Sequence, residues 1–193
     1  NYDLCIETVC REARIPIENG SRFDRGLNRR VLQPRTLIRR TDSVDEDLFK
    51  IVKLHGSISW YRLADGSQID LPEGQPTRER IAGRLMLYPI EEKAMYDEPY
   101  IVLINSFRED LRLAPAWLFV GYRFNDPFLL RVIEYCSDTS KRIGIIHPEA
   151  EGIIRSRLGN VHGQKKAFPR RFANDDTLLR EISTWLKPPR SIA

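Results

Sequence analysis

The chain has 193 residues, of which 41% are hydrophobic and 30% are charged, and its formal net charge is +4. These values are typical of a globular protein with one good core, and the sequence nowhere contains the roughly 18 consecutive apolar residues of a membrane span. The modest basic excess is compatible with anionic ligands but does not establish nucleic-acid binding. The three cysteines, Cys5, Cys10 and Cys136, form no Cys-x-x-Cys pair, which predicts free thiols in a reducing cytoplasm and no zinc ribbon.

The start of the chain has one clear helical pattern, followed by an irregular stretch. A helix is predicted directly after Asn1-Tyr2-Asp3, with Leu4, Ile6 and Val9 on its apolar side. Residues 11–40 are rich in arginine and have no clean period. That stretch therefore predicts a long, solvated basic connection rather than a phosphate site.

The segment around His55 is the centre of the first half of the chain. The apolar run Phe49–Leu54 predicts a strand that ends at this histidine, and the alternation over 58–61 predicts a following edge strand. Residues 62–98 are rich in turn-forming and charged residues, which indicates a small insertion or lid. We expect this insertion to lie within a single domain that covers residues 1–193.

The second half of the chain alternates strands and helices with short connections. The predicted elements are strands at 117–122, 142–146 and about 166–168, and helices at 126–137, 149–158 and 175–187. This order predicts an α/β fold with a Rossmann-like parallel sheet and helices on both faces. The excursion in the first half is expected to be small and irregular and to contain no zinc ribbon.

Polar or glycine-containing segments follow several of the predicted strands. They begin at Asn1, His55, Gly121 and His147. Ligands of doubly wound sheets lie across the carboxyl ends of the strands, so these segments would form one binding edge. Gly121 lets a ligand approach the backbone, and a helix that starts at Asp126 would point free N–H groups towards the same edge. The pattern favours a dinucleotide site, although the sequence has no Gly-x-Gly-x-x-Gly.

Three segments resemble one known family. Asn1-Tyr2-Asp3, Lys53-Leu54-His55-Gly56-Ser57 and Leu118–Pro127 are similar, in order and spacing, to the sirtuin-like domain of the silent-information-regulator family. The similarity is closer to its bacterial branch of NAD-consuming defence proteins than to the protein deacetylases, whose zinc-module cysteine pairs are absent. It runs from Asn1 to about Leu186, and it implies that the family's glycine-rich phosphate loop would precede Asn1.

The resemblance implies an NAD⁺ hydrolase that needs no metal, with a role for each matching residue. Asn1 would act on the ribose or the attacking water, and Asp3 would contact the nicotinamide carboxamide. His55 would be the catalytic base at the ribose hydroxyls, and His147 would contact the adenine-side ribose. Arg123 stands where the family usually has a serine. The implied cofactor-binding set further includes Gly56, Gly121, Tyr122, Arg123 and Asp126.

Other interpretations of the same residues stay open. Asn1 and Asp3 could cap the following helix, and His147 could be a strand-end residue. The whole chain could be a non-catalytic nucleotide- or ADP-ribose-binding module, or an NAD-dependent protein deacylase. A nucleic-acid-associated module is a further alternative because of the arginines in 11–40. As partners, the resemblance implies NAD, a fused or associated sensor or effector domain and a homo-oligomer, but no membrane.

Overall fold

The computed structural model describes residues 3–38, 48–71, 80–87, 97–169 and 176–187. The chain divides into two compact units, Asn1–Phe107 and Arg108–Ala193. The division falls inside one helix, α2, which runs from Tyr100 to Leu113. The described elements of the first unit that precede α2 are α1 (Cys5–Glu12), β1 (Ile17–Glu18), β2 (Ser21–Asp24), β3 (Arg29–Leu32), a 3₁₀ helix (Pro34–Leu37), β4 (Phe49–Lys50), β5 (Gly56–Leu63), β6 (Gln68–Asp70) and β7 (Ile81–Met86).

The first unit contains a five-stranded sheet in the order β2-β3-β6-β5-β7, in which every neighbouring pair is antiparallel. The two short strands β1 and β4 form a separate parallel pair. An apolar cluster lies within this unit and includes Trp60, which is 2% exposed, and Leu103, which is fully buried. The rest of the cluster is Leu32, Leu37, Leu85, Leu87 and Tyr100.

The arginine-rich stretch forms a β-hairpin, which corrects the prediction of an unstructured connection. Strands β2 and β3 pair from Ser21↔Leu32 to Asp24↔Arg29. The arginines hide the alternation in the sequence, yet Arg30 stabilises the hairpin by donating to the Ser21 hydroxyl at 2.9 Å and to the Ser21 carbonyl at 2.8 Å. Charged side chains can therefore belong to a strand when their donors find acceptors on its partner.

Strand β5 is a central strand, so the prediction of an edge strand after His55 is wrong. It pairs with β6 on one side and with β7 on the other. The pairing of β5 with β7 could not be predicted from local alternation, because β7 begins at Ile81, after a long turn-rich segment. The burial of Trp60 and Leu63 follows from this central position.

The second unit has the architecture expected of an α/β fold. Strands β8 (Ala116–Val120), β9 (Arg142–Ile146) and β10 (Gln164–Phe168) form a parallel sheet in the order β10-β9-β8. The helices that follow these strands are α3 (Pro127–Cys136), α4 (Ala150–Arg157) and α5 (Asp176–Leu186). The prediction of a Rossmann-like parallel sheet with alternating helices is confirmed in this unit.

Strand β9 is the centre of the second unit. All five of its residues are buried, as expected for a parallel strand with a neighbour on each side. Its last residue, Ile146, belongs to an apolar cluster with Phe168 of β10 and with Leu178 and Ile182 of α5. Trp185 is partly buried and packs against this cluster.

Candidate functional site

A buried ion pair lies next to the segment that carries His55. The Nζ atom of Lys53 lies 2.8 Å from Oε1 of Glu7, and the two side chains are only 6% and 11% exposed. The same Nζ donates a hydrogen bond to the backbone carbonyl of Asp3 and lies 3.5 Å from the Ser57 hydroxyl. A buried ammonium is stable only when its charge and its donors are satisfied. Lys53 therefore ties Asp3 and helix α1 to the His55 segment.

Helix α1 buries a different face from the one that the sequence pattern predicts. Glu7 and Cys10 are its buried residues, whereas Ile6 is 49% exposed and Val9 is 60% exposed. The prediction that Leu4, Ile6 and Val9 form the apolar side was based on hydrophobicity alone, which does not show that a charged residue such as Glu7 can be buried. The contact with Lys53 is the physical reason for its burial.

Asp3 lies at the start of helix α1. Its Oδ1 accepts a hydrogen bond from the backbone N–H of Cys5 at 3.0 Å. This bond, with a smaller contribution from the charge of Lys53, lowers the pKa of Asp3, so that the carboxylate is ionised at neutral pH. The contact is of the capping kind that the sequence leaves open for Asp3. Asn1 lies outside the described residues, and its role stays a prediction.

His55 lies in the turn that leads into β5. The strand predicted to reach Leu54 is limited to Phe49–Lys50, because the pairing with β1 ends there. The turn is closed by a hydrogen bond from the Gly56 N–H to the Lys53 carbonyl at 3.0 Å, and the His55 carbonyl accepts from the Leu87 N–H at 2.9 Å. These backbone bonds fix the position of a half-buried imidazole next to the buried Lys53.

Gly56 is required by both conformation and space. Its φ is +86°, and a Cβ at this position would lie 2.0 Å from the Leu85 carbonyl oxygen. We expect Gly56→Ala to lower the free energy of unfolding by about 3 kcal/mol, measured by urea denaturation. The matched control is Gly66→Ala, because Gly66 has a φ of +85° and no described atom within 4 Å of a Cβ. This control should lose only the cost of the left-handed conformation, about 1–2 kcal/mol. Equal losses in the two variants would contradict the steric argument.

The second unit brings another set of predicted residues together. Gly121 follows β8 and His147 follows β9, and the Gly121 N–H donates to the Ile146 carbonyl at 2.9 Å. Gly121 and His147 thus lie together at the carboxyl ends of two neighbouring parallel strands, whereas the predicted sharing of this edge with Asn1 and His55 stays a prediction. Gly121 has a φ of +67°, and no atom of the described residues lies within 4 Å of a Cβ built on it. The backbone at this edge is therefore open to an incoming group.

His147, Arg123 and Glu149 form a polar cluster at the same edge. The His147 ring is nearly buried, with the residue 7% exposed, and its Nδ1 accepts from the Glu149 N–H at 3.0 Å. The Nε atom of Arg123 lies 3.4 Å from His147 Nε2. The second contact of this arginine is an exposed ion pair, 3.6 Å from its Nη2 to Glu149 Oε1. We call these three residues the Arg123 cluster.

Asp126 caps helix α3, which corrects the expectation of free N–H groups at that helix start. Its Oδ1 accepts from the Phe128 N–H at 2.9 Å and from the Leu129 N–H at 3.0 Å. A covalently attached carboxylate satisfies these donors locally. The N–H groups of Phe128 and Leu129 are therefore already occupied, and the predicted cofactor contact of Asp126 stays untested.

A comparison with known families identifies the domain that contains Lys53, His55 and the Arg123 cluster. Residues 1–159 match the family model described as SIR2-like domain. The chain belongs to the SIR2-like domain family. SIR2-like domains use NAD, and the matched range includes Lys53, His55 and the Arg123 cluster, whereas β10 and α5 lie beyond it. A comparison with curated proteins finds no match for this chain.

The residues that form the buried contacts around Lys53 of this SIR2-like domain were not predicted from the sequence. Lys53, Glu7 and Ser57 were not among the predicted site residues, yet all three are buried and Lys53 contacts both of the others. One signal was available, because Lys53 is a charged residue between apolar neighbours, two positions before the His-Gly pair. The position of Glu7, three residues before Cys10 on one helix face, was a second signal.

Tyr122 of the SIR2-like domain has a buried hydroxyl that lacks a hydrogen-bond partner among the described residues. Burial, with a smaller contribution from the charge of Asp126, raises the pKa of Tyr122 to about 12. Its ring packs against Phe124 at a centroid distance of 4.6 Å and stacks on Phe119 at 6.4 Å. The observed role of this side chain is packing, and its predicted contact with the cofactor remains a prediction.

We expect Tyr122→Phe to leave the free energy of unfolding at pH 7 unchanged or slightly higher, because it removes an unpaired buried hydroxyl. The raised pKa means that the folded state favours the neutral form of Tyr122. This contribution to the free energy of unfolding is fully present below about pH 10 and is lost as the pH rises towards about 12. Urea denaturation at pH 7 and above pH 10 measures both effects. The wild-type protein should lose more stability than the variant over this alkaline range. A loss of more than about 1 kcal/mol in the variant at pH 7 would show that the hydroxyl has a partner.

The cysteines of the domain are free thiols, as predicted, with Cys5 exposed and Cys10 and Cys136 buried. A hydrogen bond to Asp3 raises the pKa of the Cys5 thiol, and burial raises that of Cys136. Both shifts disfavour the nucleophilic thiolate. Within the ranges that the structure describes, no group of three or more His, Cys, Asp or Glu side chains is arranged to hold a metal ion, and no helix is long and apolar enough to cross a membrane.

Proposed function

We propose that this SIR2-like domain is an NAD⁺ hydrolase that releases nicotinamide and ADP-ribose. The observation that carries the proposal is the buried position of Lys53. It joins the carbonyl of Asp3, the carboxylate of Glu7 and the segment of His55 within one compact unit. Two motifs that are about 50 residues apart in the sequence are thereby held by a single ammonium group.

The proposed reaction requires little acid catalysis and one well-placed base. The bond between the ribose C1′ and the nicotinamide nitrogen breaks, and its electron pair neutralises the positively charged ring. A water oxygen bonds to C1′ of the oxocarbenium-like sugar. In the proposal Asn1 orients the water, and His55, the base at the ribose hydroxyls, receives the proton that the water loses. A histidine suits this work because its ordinary pKa of about 6.5 lies near neutral pH.

Each unit, taken by itself, has residue types that are compatible with a part of NAD. In the first unit, Asp3 provides an ionised carboxylate that can accept hydrogen bonds from a carboxamide. In the second unit, Gly121 leaves the backbone open and Arg123 supplies a guanidinium at the end of the sheet, where ligands of parallel sheets bind. The residue type in the first unit fits the carboxamide of NAD, and those in the second unit fit its phosphates.

A non-catalytic nucleotide-binding module is the second candidate, and one observation favours it. Arg123 replaces the usual serine of the motif and already has an anionic neighbour in Glu149. An exposed guanidinium can bind an anionic group of a nucleotide without taking part in chemistry, and such a group would have to displace Glu149.

One experiment separates the two candidates. The full-length protein is incubated with NAD while nicotinamide release is followed by chromatography, and NAD and ADP-ribose binding are measured by calorimetry. Sustained release of nicotinamide supports the hydrolase. Binding of both ligands with no release at saturating NAD contradicts it and supports the binding module.

The resemblance to defence proteins supports a role for this activity in antiviral defence. We expect cellular NAD to fall after phage challenge in cells that express the full-length protein. A matched strain that expresses the His55→Ala variant should keep its NAD level. Equal NAD levels in the two strains after challenge would contradict this role.

A further inference from the structure

The hydrogen bonds of His147 determine which of its ring nitrogens carries the proton. Nδ1 accepts from the Glu149 N–H at 3.0 Å, so in the neutral imidazole the hydrogen is on Nε2. Arg123 Nε, which is also an N–H donor, lies 3.4 Å from this Nε2. Two donors therefore face each other, and an oxygen that accepts from both would resolve the conflict.

We propose that Arg123 and His147 bind the 2′-phosphate of NADP, and that this domain therefore takes NADP as a substrate. The inference rests on the proposed NAD-cleaving function. A phosphate oxygen can accept from the His147 Nε2–H and from the guanidinium at the same time, and the planar fork of arginine matches phosphate geometry. Sequence resemblance assigns His147 to the adenine-side ribose. The substituent there that provides such oxygens is the 2′-phosphate, which an arginine accommodates in dinucleotide-binding folds.

The loop that carries Arg123 is held in place by its own residues. Gly121 and Phe124 both have left-handed backbones, with φ values of +67° and +57°. The Phe124 ring is 1% exposed and packs against Phe119 at a centroid distance of 4.9 Å. Asp126 fixes the end of the loop by capping helix α3. This arrangement keeps the 60% exposed side chain of Arg123 next to His147 without burying it.

Glu149 would compete with a bound phosphate for the guanidinium of Arg123. Its carboxylate lies 3.6 Å from Nη2 of Arg123, and the two side chains are 66% and 60% exposed. An ion pair this exposed contributes little, so a phosphate of charge about −1.5 to −2 would displace it. The Glu149 side chain makes no capping bond to helix α4 in the described structure. It is therefore free to move away without uncapping the helix.

The test compares NADP with NAD in the full-length protein, through the ratio of their kcat/KM values. Arg123→Ser should lower the NADP/NAD ratio by about 10- to 100-fold, as expected for a lost hydrogen bond to a charged group. Glu149→Gln should raise the same ratio, because the competing negative charge is removed. Arg155→Ser is the matched control and should leave the ratio unchanged, since Arg155 is 76% exposed and pairs with Glu151.

Two results would overturn the inference, and both differ from a failure of the proposed function. An unchanged ratio in Arg123→Ser, or an equal loss for NADP and NAD, would show that Arg123 does not recognise the 2′-phosphate. Calorimetric Kd values for NADP and NAD give the corresponding ratio without turnover. A protein that cleaves neither dinucleotide would contradict the hydrolase, while the Kd ratio of the variants still decides the role of Arg123.

Discussion

Replacing His55 with alanine is expected to lower kcat for nicotinamide release by about 10²- to 10⁴-fold, the usual contribution of a positioned general base. The proposal gives this imidazole the proton of the attacking water, and alanine offers no acceptor in its place. The measurement is the steady-state rate of nicotinamide release by the full-length protein at saturating NAD.

The His55 variant needs two controls. His162→Ala replaces an exposed histidine of the second unit and should leave kcat unchanged. Thermal unfolding of His55→Ala should remain close to that of the wild type, because the bond between the His55 carbonyl and the Leu87 N–H uses only the main chain. Release at the wild-type rate by a folded His55→Ala variant would remove this residue from the mechanism.

Replacing Lys53 with methionine is expected to lower the free energy of unfolding by about 3–5 kcal/mol, because it leaves the carboxylate of Glu7 buried without its partner. The loss should be accompanied by a fall in nicotinamide release, since Lys53 also holds the backbone of Asp3. Urea denaturation measures the stability of the variant, and the release assay measures its activity.

Two further variants make the Lys53 prediction specific. Lys53→Met combined with Glu7→Leu should recover most of the lost stability without recovering activity, because well-packed apolar residues can replace a buried pair. Arg155→Met breaks an exposed pair with Glu151 and should cost less than about 1 kcal/mol. A Lys53→Met variant as stable as Arg155→Met would contradict the account of a buried ion pair.

The second half of the chain could be predicted from the sequence because local signals and tertiary structure agree there. The apolar run Arg142–Ile146 was predicted as a buried strand and is one. The Asp126-Pro127 pair predicted the start of a helix, and the capping bonds of Asp126 are observed. In both cases the deciding interaction lies within a few residues or follows from simple burial.

The first half depends on contacts between residues that are distant in the sequence. The hairpin of β2 and β3 was not predicted because the side chain that stabilises it, Arg30, is of a type that usually faces solvent. The burial of Glu7 was missed because its partner, Lys53, is 46 positions away (53 − 7). A local pattern of apolar and polar residues does not show which distant residue a side chain will contact.

The candidate site, like the fold, could be predicted only in part. The meeting of Gly121 and His147 at one sheet edge follows from the rule for parallel strands, and the structure confirms it. The proton position on His147 and the competition of Glu149 for Arg123 depend on distances of 3.0 and 3.6 Å. Sequence spacing does not determine such distances.

Cleavage of NAD in water enriched in ¹⁸O shows whether this domain hydrolyses the bond between nicotinamide and ribose. The full-length protein is incubated with NAD, and both products are examined by mass spectrometry. We expect nicotinamide without label and an equal amount of ADP-ribose that carries one ¹⁸O atom from water. Unlabelled or cyclised ADP-ribose would contradict hydrolysis, and intact NAD at saturating protein would contradict cleavage altogether.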